Sequence, residues 1–281
     1  MTSINFHPIL LDTWHSILSI LNSAFISAFF SSLAGAGLGV WGAQRFTERT
    51  ARRKELLDAL RQVNGLIVLG ATIANQAMRL KKQHIEPLSI TYFEERKRAE
   101  NLNAAYLHGS APEKIYFKLE MMHITPLITP IEALKNITYS ARLMPGRALA
   151  LVSMVEQSLT EMSHSIKVRS EQIEVFKNQE MPTVISVQNY FGLTRRDGNT
   201  DALYHDSMVA IREYTNDVIF FAVELTEDLQ IHANKIHEKL IHLTKDVGNV
   251  NTVDYSTPRR LGIIPPRENY EDWLSGFKSH D

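Results

Sequence analysis

From Thr13 to Gln44 the chain carries no Asp, Glu, Lys or Arg. An uncharged, apolar run of this length predicts a membrane-spanning helix. Trp14 and Trp41 stand near its ends. At about 1.5 Å per residue the helix between them covers roughly 40 Å, close to a bilayer with its headgroup layers. Both indole rings then sit at an interface, where an amphipathic ring is at home. The first basic residue, Arg45, follows the apolar run, so the segment lacks the basic start of a cleaved signal and is expected to remain.

Within this run Ser19, Ser23, Ser27, Ser31, Gly35 and Gly39 recur at a spacing of four, while Leu18, Leu21, Phe25 and Phe29 fall on the bulky side. Small side chains let helix backbones approach closely in lipid. A four-residue ladder turns by about 40° per step, so one straight neighbour cannot follow all of it. Two uses stay open: a helix-packing face between copies of the chain, or a bundle whose serines and Asn22 line a narrow polar path. A phosphate loop at Gly35–Gly42 is excluded, because no strand, lysine or acidic partner accompanies it.

Beyond the run the pattern becomes amphipathic and helical. Leu56, Leu57, Leu60, Val63, Ile67, Ala71, Ala74 and Ala77 continue the span into a second helical stretch, residues 45–85, which Pro87 is expected to end. Residues 63–78 are uncharged, but Asn64, Asn75 and Gln76 make a buried bundle helix the better reading than a second span. Further helices are expected over Phe93–Tyr106, Ile131–Tyr139, Arg147–Gln179 and Asp201–Thr244. Ile115–Leu119 has strand-like content that a helix also allows, Met181–Gly198 reads as a connector, and the tail from Asp246 as extended chain. The predicted fold class is mainly α: residues 1–13 a short outer tail, 14–44 a transmembrane helix, 45–85 a juxtamembrane helix and 86–281 a cytoplasmic helical bundle of long antiparallel helices.

Charge sets the expected orientation. No Lys or Arg precedes the span, and Arg45, Arg49, Arg52, Arg53 and Lys54 follow it directly. The positive side stays in the cytoplasm, placing the N-terminus outside and the domain inside, as in a single-pass membrane protein. The lipid bilayer is therefore the first partner. The net charge of −1 gives no indication of a globally basic nucleic-acid binder, and the absence of cysteine excludes disulfides, thiolate metal sites and cysteine nucleophiles.

Little in the pattern points to catalysis. His232, His237 and His242 lie five apart and do not converge on one helix face, so no metal site is expected. His205 and Asp206 are sequence neighbours and diverge on a helix. Glu171 with Glu174, and Glu224, Glu227 and Asp228, read as solvated helix faces. No catalytic residue and no cofactor is assigned, and the chain is not expected to be an enzyme. Arg195, Arg196, Arg259 and Arg260, with Arg267, fall on connectors and are the candidate residues for an anionic ligand, since guanidinium forks suit phosphate. Tyr190, Phe191 and Tyr255 lie near them in sequence and could stack on a base; the plainer reading is surface arginines paired with nearby acids.

An outer N-terminus, one Ser/Gly-rich span, a basic juxtamembrane helix and a helical cytoplasmic domain together resemble membrane effectors of bacterial antiphage defence systems, the Hailong-type effector among them. The resemblance rests on overall layout. It implies a homo-oligomer, tetrameric or larger, that depolarises the membrane under control of a nucleotide or oligonucleotide, with a partner protein encoded alongside. The alternative from another class is a non-conducting membrane anchor whose helical domain binds a protein or signals.

Overall fold

The computed structural model describes residues 24–110, 115–141, 144–178 and 183–277. Between residues 24 and 40 it describes the backbone and, of the side chains, only Ala28, Ser31 and Ser32. Ser19 and Ser23 lie outside the described residues.

Among the described residues the chain is mainly helical. Helix α1 spans Ala24–Leu80, a π-helical turn covers Lys81–Ile85, and α2 spans Glu86–Leu107. The helix thus runs past Pro87, where the sequence pattern ended it. Proline has no N–H and its ring would press on the carbonyl of Gln83, four residues back. The π-turn absorbs this: Glu86 N–H reaches back five residues to Lys81 O, widening the turn just before the ring. After an irregular segment come α3 (Ile131–Ser140) and α4 (Gly146–Lys177). Then follow α5 (Val184–Phe191), α6 (Leu203–Ile241), α7 (Ser256–Arg260), a 3₁₀ turn (Arg267–Tyr270) and α8 (Glu271–Ser275).

Three further expectations change. Ile115–Leu119 is irregular chain; among the described residues the only β pairing is an isolated Thr194–Thr200 bridge. The supposed connector Met181–Gly198 contains α5. Thr183 Oγ1 caps it by accepting from Ser186 N–H, and Gly192 ends it at φ +66°, where a Cβ would lie 2.9 Å from His205 Cβ. The tail folds into α7, the 3₁₀ turn and α8, and packs on the bundle: the Tyr270 ring stacks 3.7 Å from that of Phe220, and its hydroxyl donates to Asp217 Oδ1 at 2.8 Å.

Helix α6 forms the centre. Every residue from Val218 to Thr226 is buried, as in a helix surrounded on all sides. α4 and α1 pack along it. Both run antiparallel to it: Arg147 at the start of α4 meets Glu224, whereas Arg169 near its end meets Met208; Gly70 of α1 faces Thr226, whereas Lys81 feels Arg212. Leu66, Ile67, Ile73, Ala74 and Ala77 of α1 are fully buried in this core. Asn64 is satisfied by the tail, donating to Asn249 O and accepting from Asn251 N–H, each at 2.9 Å.

A second, aromatic cluster joins α2, α4, α5 and the start of α6 around Tyr92, Phe176, Tyr190, Phe191 and Tyr204. Arg169 is buried beside it. Its guanidinium donates to Met122 O (2.8 Å) and Glu120 O (3.1 Å), which fixes the irregular segment against the bundle.

Candidate functional site

Ser27, Ser31, Gly35 and Gly39 all lie on α1, and Ser31 is exposed. All residues from Trp41 to Glu55 are exposed as well; Leu56 is the first to enter the core. α1 is therefore solvent-exposed over the basic stretch that includes Arg45, Arg49, Arg52, Arg53 and Lys54, and at its inner end Arg52 and Lys54 line a groove with Ser140 and Lys239 of the bundle. Arg45 folds its guanidinium 4.2 Å above the Trp41 ring. The helical run Trp41–Leu107 is long and apolar enough to cross a membrane; its most apolar 18-residue window has a mean hydropathy of 1.3, and half of that window is buried in the fold. A core helix has the same composition, so length and hydropathy alone do not separate the two.

The four candidate arginines do not converge. Arg195 donates to Asn189 Oδ1 through Nη2 (2.6 Å) and Nε (3.1 Å), near the start of α6. Arg196 donates to Tyr106 O at 2.9 Å and lies over that ring. Arg259 instead pairs with Glu227 at 2.7 Å, and Arg260 is exposed. Asp201, beside Arg195, and Glu227 are separated by most of α6, roughly 35–40 Å at 1.5 Å per residue. The aromatic residues proposed to accompany them are core: Tyr190 and Phe191 sit in the aromatic cluster and Tyr255 against α6. A single arginine-lined stacking pocket is thus replaced by two separate sets of structural contacts, because the rigid length of α6 holds the two loops apart.

The acidic face of α6 is corrected too. Glu224 is buried, not solvated. Arg147 of α4 approaches its Oε2 at 2.6 Å and Arg267 of the tail at 3.1 Å, while Arg147 Nε lies 3.0 Å from Asp228. Burial pushes the Glu224 carboxyl above its ordinary range, and the Arg267 and Arg147 charges offset this only in part. Together with Arg259–Glu227, these pairs clamp the tail to the bundle. Periodicity could not show this, because the cations return from segments more than 30 residues away along the chain.

A cavity lies at the π-turn. It measures about 570 Å³ and is lined from the π-turn, α2 and α6 by Lys81, Ser89, Phe93, Lys97, Arg212 and Asn216, among others. Lys81 Nζ donates to Ile263 O of the tail at 2.9 Å. Burial lowers the Lys81 pKa; nearby Glu86 raises it and nearby Arg212 lowers it further. Arg212 lies 5.6 Å from the Phe93 centroid. Ser89 Oγ and Asn216 Oδ1 are buried with no hydrogen-bond partner. None of these residues was singled out from sequence except Phe93, as a helix start. The available signal was Ser89: it falls on the Ile85–Tyr92 stripe that faces the core, a polar residue where an apolar one is expected.

Among the described residues no group of His, Asp and Glu is arranged to hold a metal ion. No family model, curated protein or solved structure matches the chain.

Proposed function

We propose that this chain is an oligomeric, channel-like effector of the bacterial inner membrane, its span controlled by the helical domain on the cytoplasmic side. The observation that carries the reading is the continuity of α1. One uninterrupted helix, Ala24–Leu80, includes the Ser27–Gly39 part of the small-residue ladder, the exposed basic stretch and the core positions packed against α6. A helix is stiff along its axis, so a shift of α1 against α6 is carried into the segment assigned to lipid. The exposed stretch between Trp41 and Glu55 leaves room for neighbouring copies alongside. Control by a nucleotide or oligonucleotide, and a role in antiphage defence, belong to the same proposal and rest on the layout.

The test is membrane potential, read with a potential-sensitive dye in bacteria expressing the full chain. The parent should depolarise the cells. Replacing Ser23, Ser27 and Ser31 together by Leu should abolish this while membrane insertion persists, since the hydroxyl face is lost but the helix stays apolar. Conduction that survives the triple change rejects the pore. A parent that leaves the potential untouched favours the non-conducting anchor.

A further inference from the structure

We infer that the cavity at the π-turn is a binding site for a compact organic anion with an aromatic or apolar body and at least one hydrogen-bond donor. Its volume of about 570 Å³ suits a small molecule. Its charge is unbalanced: Lys81, Lys97 and Arg212 face it against Glu86 and Glu94, an excess of one positive charge. Arg212 is close enough to disfavour the charge on Lys81, an effect that nearby Glu86 opposes, and Lys81 is partly removed from water. An anion placed between them relieves that repulsion. Phe93 offers an aromatic wall on the same side as Arg212. The two lone polar atoms set the remaining chemistry. Ser89 is 95% buried, with 5% of its surface exposed, and its hydroxyl has no partner; Asn216 Oδ1 is a buried acceptor without a donor. Buried polar atoms left unpaired are rare in folded proteins, and an occupant with an N–H or O–H satisfies them.

The site's position gives binding a consequence. The π-turn is the junction between α1 and α2, and such turns recur at functional sites. Lys81 also holds the tail through Ile263 O, so an anion that recruits Lys81 competes with that hold.

The test is calorimetry on the full chain in nanodiscs, with two matched pairs of probes: adenosine 5′-monophosphate against adenosine, and indole-3-acetate against tryptophol. Each pair keeps the aromatic body and its ring donors and replaces a neutral hydroxyl group by a charged phosphate or carboxylate. At least one anion should bind tenfold or more tighter than its neutral counterpart, and the pair that does so identifies phosphate or carboxylate as the head group. Lys97→Gln with Arg212→Gln should weaken that binding at least tenfold. Both residues are exposed, so the melting curve should stay unchanged and a loss of affinity is not a loss of fold. Equal binding of charged and neutral members, absence of binding by all four, or affinity unaffected by the double change overturns the assignment. Binding is read without any membrane potential, so its failure is separable from failure of the channel reading.

Discussion

Gly70→Ala probes the contact through which α1 is held to the bundle. Gly70 lies where α1 crosses α6. A Cβ there would come 2.9 Å from Thr226 Oγ1, with the next neighbours, Ala222 O and Leu225 Cδ2, at 3.9 Å. Thr226 is fully buried, and its hydroxyl already donates to Ala222 O at 2.7 Å. It has little freedom to swing away. Two effects oppose each other. Alanine in a helix interior is favoured over glycine by about 0.8–1.0 kcal/mol. Overpacking a tight contact costs about 1–3 kcal/mol. The steric effect wins, leaving a net destabilisation of up to about 2 kcal/mol. In a Thr226→Ala background the obstruction is gone, and the same change should stabilise by up to about 1 kcal/mol. The double-mutant cycle therefore carries a coupling of about 1–3 kcal/mol. Chemical denaturation of the four full-length proteins in detergent, followed by the helical circular dichroism signal, measures it. A coupling within about 0.5 kcal/mol of zero, with Gly70→Ala stabilising both backgrounds alike, would mean that α1 and α6 do not meet at Gly70. The transmission argument built on that contact would then fall.

Gly35→Leu or Gly39→Leu should weaken oligomer formation, because bulk on the ladder separates closely packed helices; crosslinking in membranes reads this, and unchanged assembly of both variants moves the interface to the bundle. Glu224→Gln tests the buried carboxyl. Its folded pKa lies above the ordinary 4.5, so just above that pH the folded chain keeps a proton that the unfolded chain has lost. This contribution to stability is present at low pH and fades as pH rises through the folded pKa. Wild type should accordingly lose ground to Glu224→Gln as pH rises above the ordinary 4.5, read as the difference in denaturation midpoints. A difference that is flat, or that grows in favour of wild type, would show that the arginines outweigh burial.

The helical class and most helix positions follow from local physics that the chain carries by itself. The pattern predicts α4 over Arg147–Gln179, and it lies at Gly146–Lys177; it predicts α6 over Asp201–Thr244, and it lies at Leu203–Ile241. Long apolar stripes at helical spacing leave one way to bury them. The uncharged run, its small-residue ladder and the basic stretch behind it are equally local, and the membrane expectation rests on them. What required the tertiary structure was every property that depends on segments meeting. Pro87 breaks a helix in isolation, yet here a π-turn carries the helix onward, and α2 with its aromatic cluster packs on the bundle. Glu224 belongs to an acidic face in sequence, yet Arg147 and Arg267 converge on it from a helix start and a folded tail. Arg195 and Arg259 look alike as connector arginines, but α6 keeps them roughly 35–40 Å apart. The cavity at the π-turn exists only because that turn, α2 and α6 meet around Lys81, Ser89 and Asn216. Periodicity encodes which face of a helix turns inward; which charges and cavities that face then encounter is decided by the other helices.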